Sequence, residues 1–146
     1  VTVVRGLEPT DTEWLKRVWT SVEADIGSWF VVGARAWYVY QKARTSTPHK
    51  VAREHWVGVE GAAFAHYRVR ARDGVAVLGE IGVLPAARRQ GFARALVGSM
   101  PRPLELKTDA TNLASNAFYV SLGGVLMGRA RAKSDQRRAL CCYLFP

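Results

Sequence analysis

Residues 78–100 read LGEIGVLPAARRQGFARALVGSM, and their order decides the fold. An apolar strand carrying one carboxylate, Glu80, runs into Pro85. It then passes through the basic, glycine-containing segment Arg88, Arg89, Gln90, Gly91, Phe92 and Ala93 and becomes helical. A helix start leaves amide N–H groups without intrahelical partners, and their dipoles favour a negative group placed beyond the terminus. Small residues at Gly91 and Ala93 keep the approach to those amides open. Phe92, Ala95, Leu96 and Ser99 recur at spacings of three and four, which gives the helix one face to lay on a sheet. On spacing alone the turn is either a phosphate site or an ordinary strand-to-helix connection. In both cases Arg88, Arg89 and Arg94 need an anion or solvent beside them, because an unpaired buried charge is prohibitively costly.

The segment resembles the acyl-CoA-binding motif of the GNAT family of N-acetyltransferases, whose pattern is Arg or Gln, two residues, Gly, one residue, then Gly or Ala. Arg88, Gly91 and Ala93 fit each position, and Val83 and Pro85 stand where the family places the end of its fourth strand. Residues 112–123, NLASNAFYVSLG, resemble the family's Asn…Tyr…Leu-Gly helix. The resemblance covers residues 55–145 well and the first 50 loosely. It implies an α/β fold: a single GNAT-like domain over residues 1–146, with a mixed, largely antiparallel sheet of about seven strands flanked by helices. It also implies an enzyme that moves an acetyl group, or another acyl group, from acetyl-CoA to a primary amine by direct transfer in a ternary complex.

Direct transfer needs a base for the amine and an acid for the departing thiolate. The resemblance implies Glu80 as the base, acting directly or through water, and Tyr119 as the acid. It assigns the CoA phosphates to Arg88, Arg89, Gln90, Gly91, Phe92, Ala93 and Arg94, and the pantetheine amides to main-chain groups of Ile81, Gly82 and Val83. Asn112 serves the pantetheine arm, its own helix cap, or both.

The acceptor is not legible. Trp29, Phe30, Trp37 and Tyr38 lie in an aromatic cluster, residues 28–41, that packs as core or lid, or forms a platform for a planar acceptor. His66, midway along a strand, either meets substrate or a water chain or is an ordinary hydrogen-bonded sheet residue. The net charge of +9 favours anionic partners, so CoA, acidic protein surfaces and nucleic acid all qualify. Two alternatives to amine acetylation stay open: an enzyme modifying nucleic acid or a modified nucleotide, and a non-catalytic CoA- or anion-binding module.

With 146 residues the chain is long enough for one well-buried core, and its apolar runs are too short for a membrane helix. The amino-terminal stretch lacks signal-peptide character, and adjacent Cys141 and Cys142 suggest neither a disulfide framework nor a metal pair; the expectation is a cytoplasmic protein, monomer or homodimer. Three histidines without clustered carboxylates or thiolates predict no metal site.

Along the chain, residues 1–6 predict a strand, and Thr10 with Glu13 has capping-box spacing ahead of a helix whose stripe is Leu15, Val18, Trp19 and Val22. Residues 28–41 fit a helix or an irregular strand, and residues 42–50 read as a loop. Strands are expected over 55–60, 62–70, 75–84, 104–107, 125–130 and 137–145. Helices are expected from about Gly91 to Pro101 and from Asn112 to Gly123.

Overall fold

The computed structural model describes residues 2–26, 32–133 and 135–146. Among these, seven strands are present: β1 (Arg5–Gly6), β2 (Glu54–Val59), β3 (Ala63–Val69), β4 (Ala76–Val83), β5 (Leu104–Asp109), β6 (Val125–Arg131) and β7 (Ala139–Phe145). The α-helices are α1 (Thr12–Ile26), α2 (Val32–Ser46), α3 (Phe92–Ser99) and α4 (Leu113–Ser121). The sheet is mixed, in the order β1-β2-β3-β4-β5-β7-β6. Two compact units divide the chain, one of Val1–Arg68 with Gly79–Ser99 and one of Val69–Leu78 with Met100–Pro146.

The first unit is built around tryptophan. The predicted stripe Leu15, Val18, Trp19 and Val22 buries one side of α1, and Trp14, Trp37, Trp56 and Phe64 complete the cluster. Trp37 is wholly enclosed and donates its indole N–H to Thr12 Oγ1 at 3.0 Å. The start of α1 differs from expectation. Instead of a Thr10–Glu13 box, a 3-10 turn at Pro9–Asp11 precedes the helix, and buried Asp11 collects the donors. Its carboxylate accepts from Glu8 N (2.7 Å), Trp14 Nε1 (2.9 Å) and both terminal nitrogens of Arg5 (2.9 and 2.7 Å). Those bonds to the charged form, led by the one from Arg5, hold Asp11 well below the usual carboxylate range.

Two further expectations are corrected here. The first strand is only the two residues Arg5–Gly6, paired with Gly58 and Val57. Residues 42–46, read as loop, continue α2 instead. Lys42, Ala43 and Arg44 are good helix formers, and their polarity reflects an outward face; the helix yields only at Thr47, the residue before Pro48. Residues 32–41, left between helix and strand, are helical throughout.

β2 and β3 form the expected hairpin, with Trp56 opposite His66 and Gly58 opposite Phe64. In the second unit, β4 and β5 run parallel with Ala76 opposite Leu104 and Leu78 opposite Leu106. β7 is antiparallel to both β5 and β6, and the β6 register slips between Leu126 and Gly128. Leu104, Leu106, Tyr119, Tyr143 and Phe145 are buried there. Cys141 and Cys142, neighbours on β7, are both free thiols. Among the described residues no helix is long and apolar enough to cross a membrane, and no group of three or more His, Cys, Asp or Glu could hold a metal ion.

Candidate active site

Glu80 lies in the part of β4 that belongs to the first unit. It is half-buried, and its Oε2 is buried with no hydrogen-bond partner. Burial without a compensating charge disfavours the carboxylate and pushes its pKa up to about 7. The strand around it does not alternate simply. A Cβ on Gly82 would sit 2.8 Å from Phe64 Cε1 and 3.1 Å from Val18 and Val22, while one on Gly79 would sit 3.4 Å from His66 Nδ1. Phe64 and His66, two apart on β3, share a face, yet Gly79 and Gly82 are three apart. The phase of β4 therefore shifts between them, as at a bulge. Strict alternation, which would group Glu80 with Gly82 and Leu84, does not hold through this stretch.

After β4 the chain makes a 3-10 turn at Pro85–Ala87. Arg88 Nε donates to Val83 O at 3.4 Å, and Gln90 Nε2 donates back to Ala86 O at 3.3 Å. Arg89 and Gly91 both adopt left-handed backbone, at φ 62° and 83°. Arg88 before them is extended (φ −69°, ψ 157°), and the two left-handed residues on either side of Gln90 make a tight turn of the kind whose successive amides suit an anion. Ala95 N donates to Gly91 O at 2.9 Å, so Gly91 occupies the capping position of α3 and has no side chain with which to cap it. A Cβ there would meet nothing within 4 Å. The space beyond the helix start is thus open, and Arg88, Arg89 and Arg94 are exposed around it. Leu96 and Val97 are buried and seat the helix. The donor set, unclaimed helix-start amides with three guanidinium groups, fits the phosphates of CoA.

The second unit holds Asn112 and Tyr119. Asn112 caps α4, its Oδ1 accepting from Ser115 N at 3.1 Å. Asn116 is the busier residue. Its Nδ2 donates to Asp109 O (3.0 Å) and Asn112 O (2.8 Å), and its Oδ1 accepts from Tyr143 Oη at 2.6 Å. Tyr119 is buried among Phe118, Tyr143 and Phe145, with ring centroids 5.4, 6.0 and 6.5 Å away. Burial pushes its phenol up to about 12, so it stays protonated at neutral pH.

Of the acceptor-side candidates, Trp29 and Phe30 fall outside the described residues. Trp37 is core, as its enclosure and bond to Thr12 show, so it offers no surface to an acceptor. Tyr38 is half exposed, with its ring 6.4 Å from that of Trp19. His66 stacks on Trp56, centroids 4.3 Å apart at 12°, and its Nε2 lies 3.1 Å from Glu54 Oε1. Burial lowers the His66 pKa, with Glu54 opposing the shift. Sequence reasoning missed Glu54; its signal is a carboxylate two positions from Trp56, legible only once the register of β2 with β3 is known.

The pattern of the acetyltransferase (GNAT) family matches residues 13–124. No curated protein matches the chain in sequence. Among solved structures, a GNAT-family protein from Desulfovibrio desulfuricans is similar at TM-score 0.78 and 19% identity, over 99% of this chain and 98% of that one. A ribosomal-protein-alanine N-acetyltransferase from Brucella melitensis gives 0.71 and 19%, over 98% of each chain. The Salmonella typhimurium protein yncA, solved with its cofactor acetyl-CoA, gives 0.66 and 16%, over 99% and 92%. At such identities the likeness is one of fold.

Proposed function

The chain belongs to the acetyltransferase (GNAT) family, whose cofactor is acyl-CoA, and on that premise we propose that it transfers an acetyl group from acetyl-CoA directly to a primary amine, with residues 1–146 acting as one catalytic domain. The observation that carries the proposal is Glu80: a half-buried carboxyl with an unpartnered oxygen, poised near neutrality, on the strand that leads into the anion-binding turn.

When bound, acetyl-CoA supplies the acyl thioester. The amides at the start of α3, with Arg88, Arg89 and Arg94, hold the phosphates, and Gln90, Gly91, Phe92 and Ala93 shape that turn. Main-chain groups of Ile81, Gly82 and Val83 receive the pantetheine amides. Asn112 has its Oδ1 engaged in the cap and offers its amide nitrogen to the same arm. Glu80 takes a proton from the acceptor nitrogen; with a pKa near 7 it is both sufficiently ionised and sufficiently basic at neutral pH. Tyr119, a phenol that is protonated at neutral pH, gives its proton to the leaving sulfur. The acceptor class is a primary amine, on a small molecule, a peptide amino terminus or a lysine side chain.

The test is acetyl-CoA consumption against small amines, peptides with free amino termini, lysine peptides and nucleotides, with product mass measured. One amine gaining an acetyl group supports the proposal; tight acetyl-CoA binding with no acceptor acetylated would leave a cofactor-binding module. Glu80→Gln is expected to lower kcat by about 100-fold or more with acetyl-CoA affinity unchanged, and Tyr119→Phe to act in the same sense. In the wild type the rate should rise as pH passes through about 7. Stability has the opposite slope. The Glu80 pKa is raised from 4.5 on folding, so its contribution is fully present below about 4.5 and is lost as pH rises through about 7. Glu80→Gln should therefore melt higher than wild type at pH 8.

A further inference from the structure

We propose that His66, oriented by Glu54, is a second proton acceptor for the amine, working beside Glu80; this rests on the reading of Glu80 as the place where the acceptor loses a proton. Glu54, His66, Gly79 and Glu80 all lie in the first unit. Glu54 on β2 faces Arg68 in register, and His66 faces Trp56, so Glu54 reaches the imidazole diagonally and meets Nε2 at 3.1 Å. A carboxylate there takes the Nε2 proton as a hydrogen bond, fixes the tautomer and leaves the Nδ1 lone pair available. Stacking on Trp56 holds the ring plane.

Nδ1 looks towards Gly79, 3.4 Å from where a Cβ would stand. Gly79 is exposed, and the next residue is Glu80. Glycine weakens a strand interior, and it recurs where something must approach the backbone closely. Here the missing Cβ leaves room beside the Nδ1 of a largely buried ring, one residue before the carboxyl in sequence. The carboxylate, the stacked ring and the bare position together resemble a base held by an orienting acid more than a sheet pair made for stability.

The chemistry needs two acceptors. A primary amine arrives as an ammonium, and two protons leave its nitrogen before the amide is complete. One carboxyl holds one of them at a time. In the first step an ammonium N–H bond breaks, an Nδ1–H bond forms, and the positive charge moves to the imidazolium, where Glu54 stabilises it. The nitrogen keeps the electron pair. That pair then forms the N–C bond to the acyl carbon as the second proton passes to Glu80; the C–S pair leaves on sulfur, which takes the Tyr119 proton. The charged and titratable groups that act on His66 are Glu54 and His55 on β2 and Arg68 on β3. Burial, Arg68 and His55 favour the neutral ring, and Glu54 favours the charged one.

Two measurements on the full chain decide the matter. Nitrogen-15 NMR of the histidine rings at neutral pH should find His66 as the neutral Nε2–H tautomer, and Glu54→Gln should mix the tautomers; a proton resident on Nδ1 in the wild type overturns the proposal. Kinetics at saturating acetyl-CoA, with an alanine-terminated peptide and spermidine supplied singly, should show His66→Gln losing about 100-fold in kcat at pH 7. Its acetyl-CoA dissociation constant should not change. The deficit should narrow as pH approaches the amine's own pKa, where the acceptor arrives already deprotonated, and Glu54→Gln should show a smaller loss of the same shape. A deficit constant with pH, or none, assigns the pair to structure and overturns the proposal. If the wild type acetylates neither probe, the amine that the acceptor screen identifies replaces them, and if that screen finds none the activity fails and the tautomer measurement decides this inference by itself.

Discussion

The chain makes the passage from strand to helix twice in its second half, at β4 to α3 and at β5 to α4, and the two are built in opposite ways. Ahead of α4 nearly every polar group is spoken for. Asp109 accepts from Thr111 N (2.9 Å), Thr111 Oγ1 (2.6 Å) and Arg138 Nε (3.0 Å), and those bonds, led by the one from the Thr111 hydroxyl, lower its pKa. Asn112 caps, and Asn116 closes the turn against two carbonyls and Tyr143. Ahead of α3 the capping position is Gly91, two residues sit in left-handed backbone, and the guanidinium groups of Arg89 and Arg94 are exposed. A helix start that satisfies itself stabilises the fold. One that does not must find its acceptors elsewhere, and an anionic ligand is the economical supplier.

The largest test of this contrast replaces Gly91 by valine. The protein leaves open space where the new side chain would go, so the fold loses only the cost of a branched residue at φ 83°, on the order of 1–3 kcal/mol. The ligand, by contrast, loses the approach to the α3 amides. Two charge-assisted bonds forfeited amount to about 3 kcal/mol, or roughly a 100-fold rise in the acetyl-CoA dissociation constant by calorimetry. Gly123→Val supplies the control, because Gly123 follows α4 at φ 95° with equally open surroundings. It should cost similar stability and leave affinity alone. Equal affinity losses in both variants would sink the contrast.

That difference between the two helix starts was partly legible in the sequence. Gly91, the arginines and Pro85 are local signals, and local signals carry the turn, as the stripe Leu15, Val18, Trp19 and Val22 carried α1. Long-range partners were not legible. Asp11 displaces Thr10 at the start of α1 because Arg5 and Trp14 converge on it, and spacing rules do not see that convergence. Residues 42–46 looked like loop because an exposed helical face shows no apolar period. The phase shift between Gly79 and Gly82 and the Glu54–His66 pair need the registry of neighbouring strands, which a period-two pattern cannot supply. Asn116 falls in the same class: its acceptor role depends on Tyr143, 27 positions away.

Asn116 also provides the next measurement. Asn116→Ala strands the Tyr143 hydroxyl and removes the amide's bonds to two carbonyls that each keep a backbone donor, and the loss should be about 1–2 kcal/mol in urea denaturation. Acetyl-CoA affinity of the folded variant should stay within about threefold, since such a change is under 1 kcal/mol. A large loss of affinity at unchanged stability would mean that the α4 start also serves the ligand through Asn116, and the two helix starts would no longer differ in kind.

Asn112 is where the contrast can be divided most finely, because one side chain is given both tasks. Its oxygen caps α4, and its amide nitrogen is assigned to the pantetheine arm. Asn112→Asp keeps an oxygen for Ser115 N, places a negative charge where the helix dipole favours it, and removes the donor. Stability should hold within about 0.5 kcal/mol, while acetyl-CoA binding weakens by roughly five- to tenfold, the worth of one hydrogen bond of about 1 kcal/mol. Asn112→Ala should do both kinds of damage, with about 1 kcal/mol lost from the fold as well. If the aspartate variant binds acetyl-CoA as the wild type does, Asn112 is a cap alone, and the division between a helix start made for the ligand and one made for the fold becomes complete.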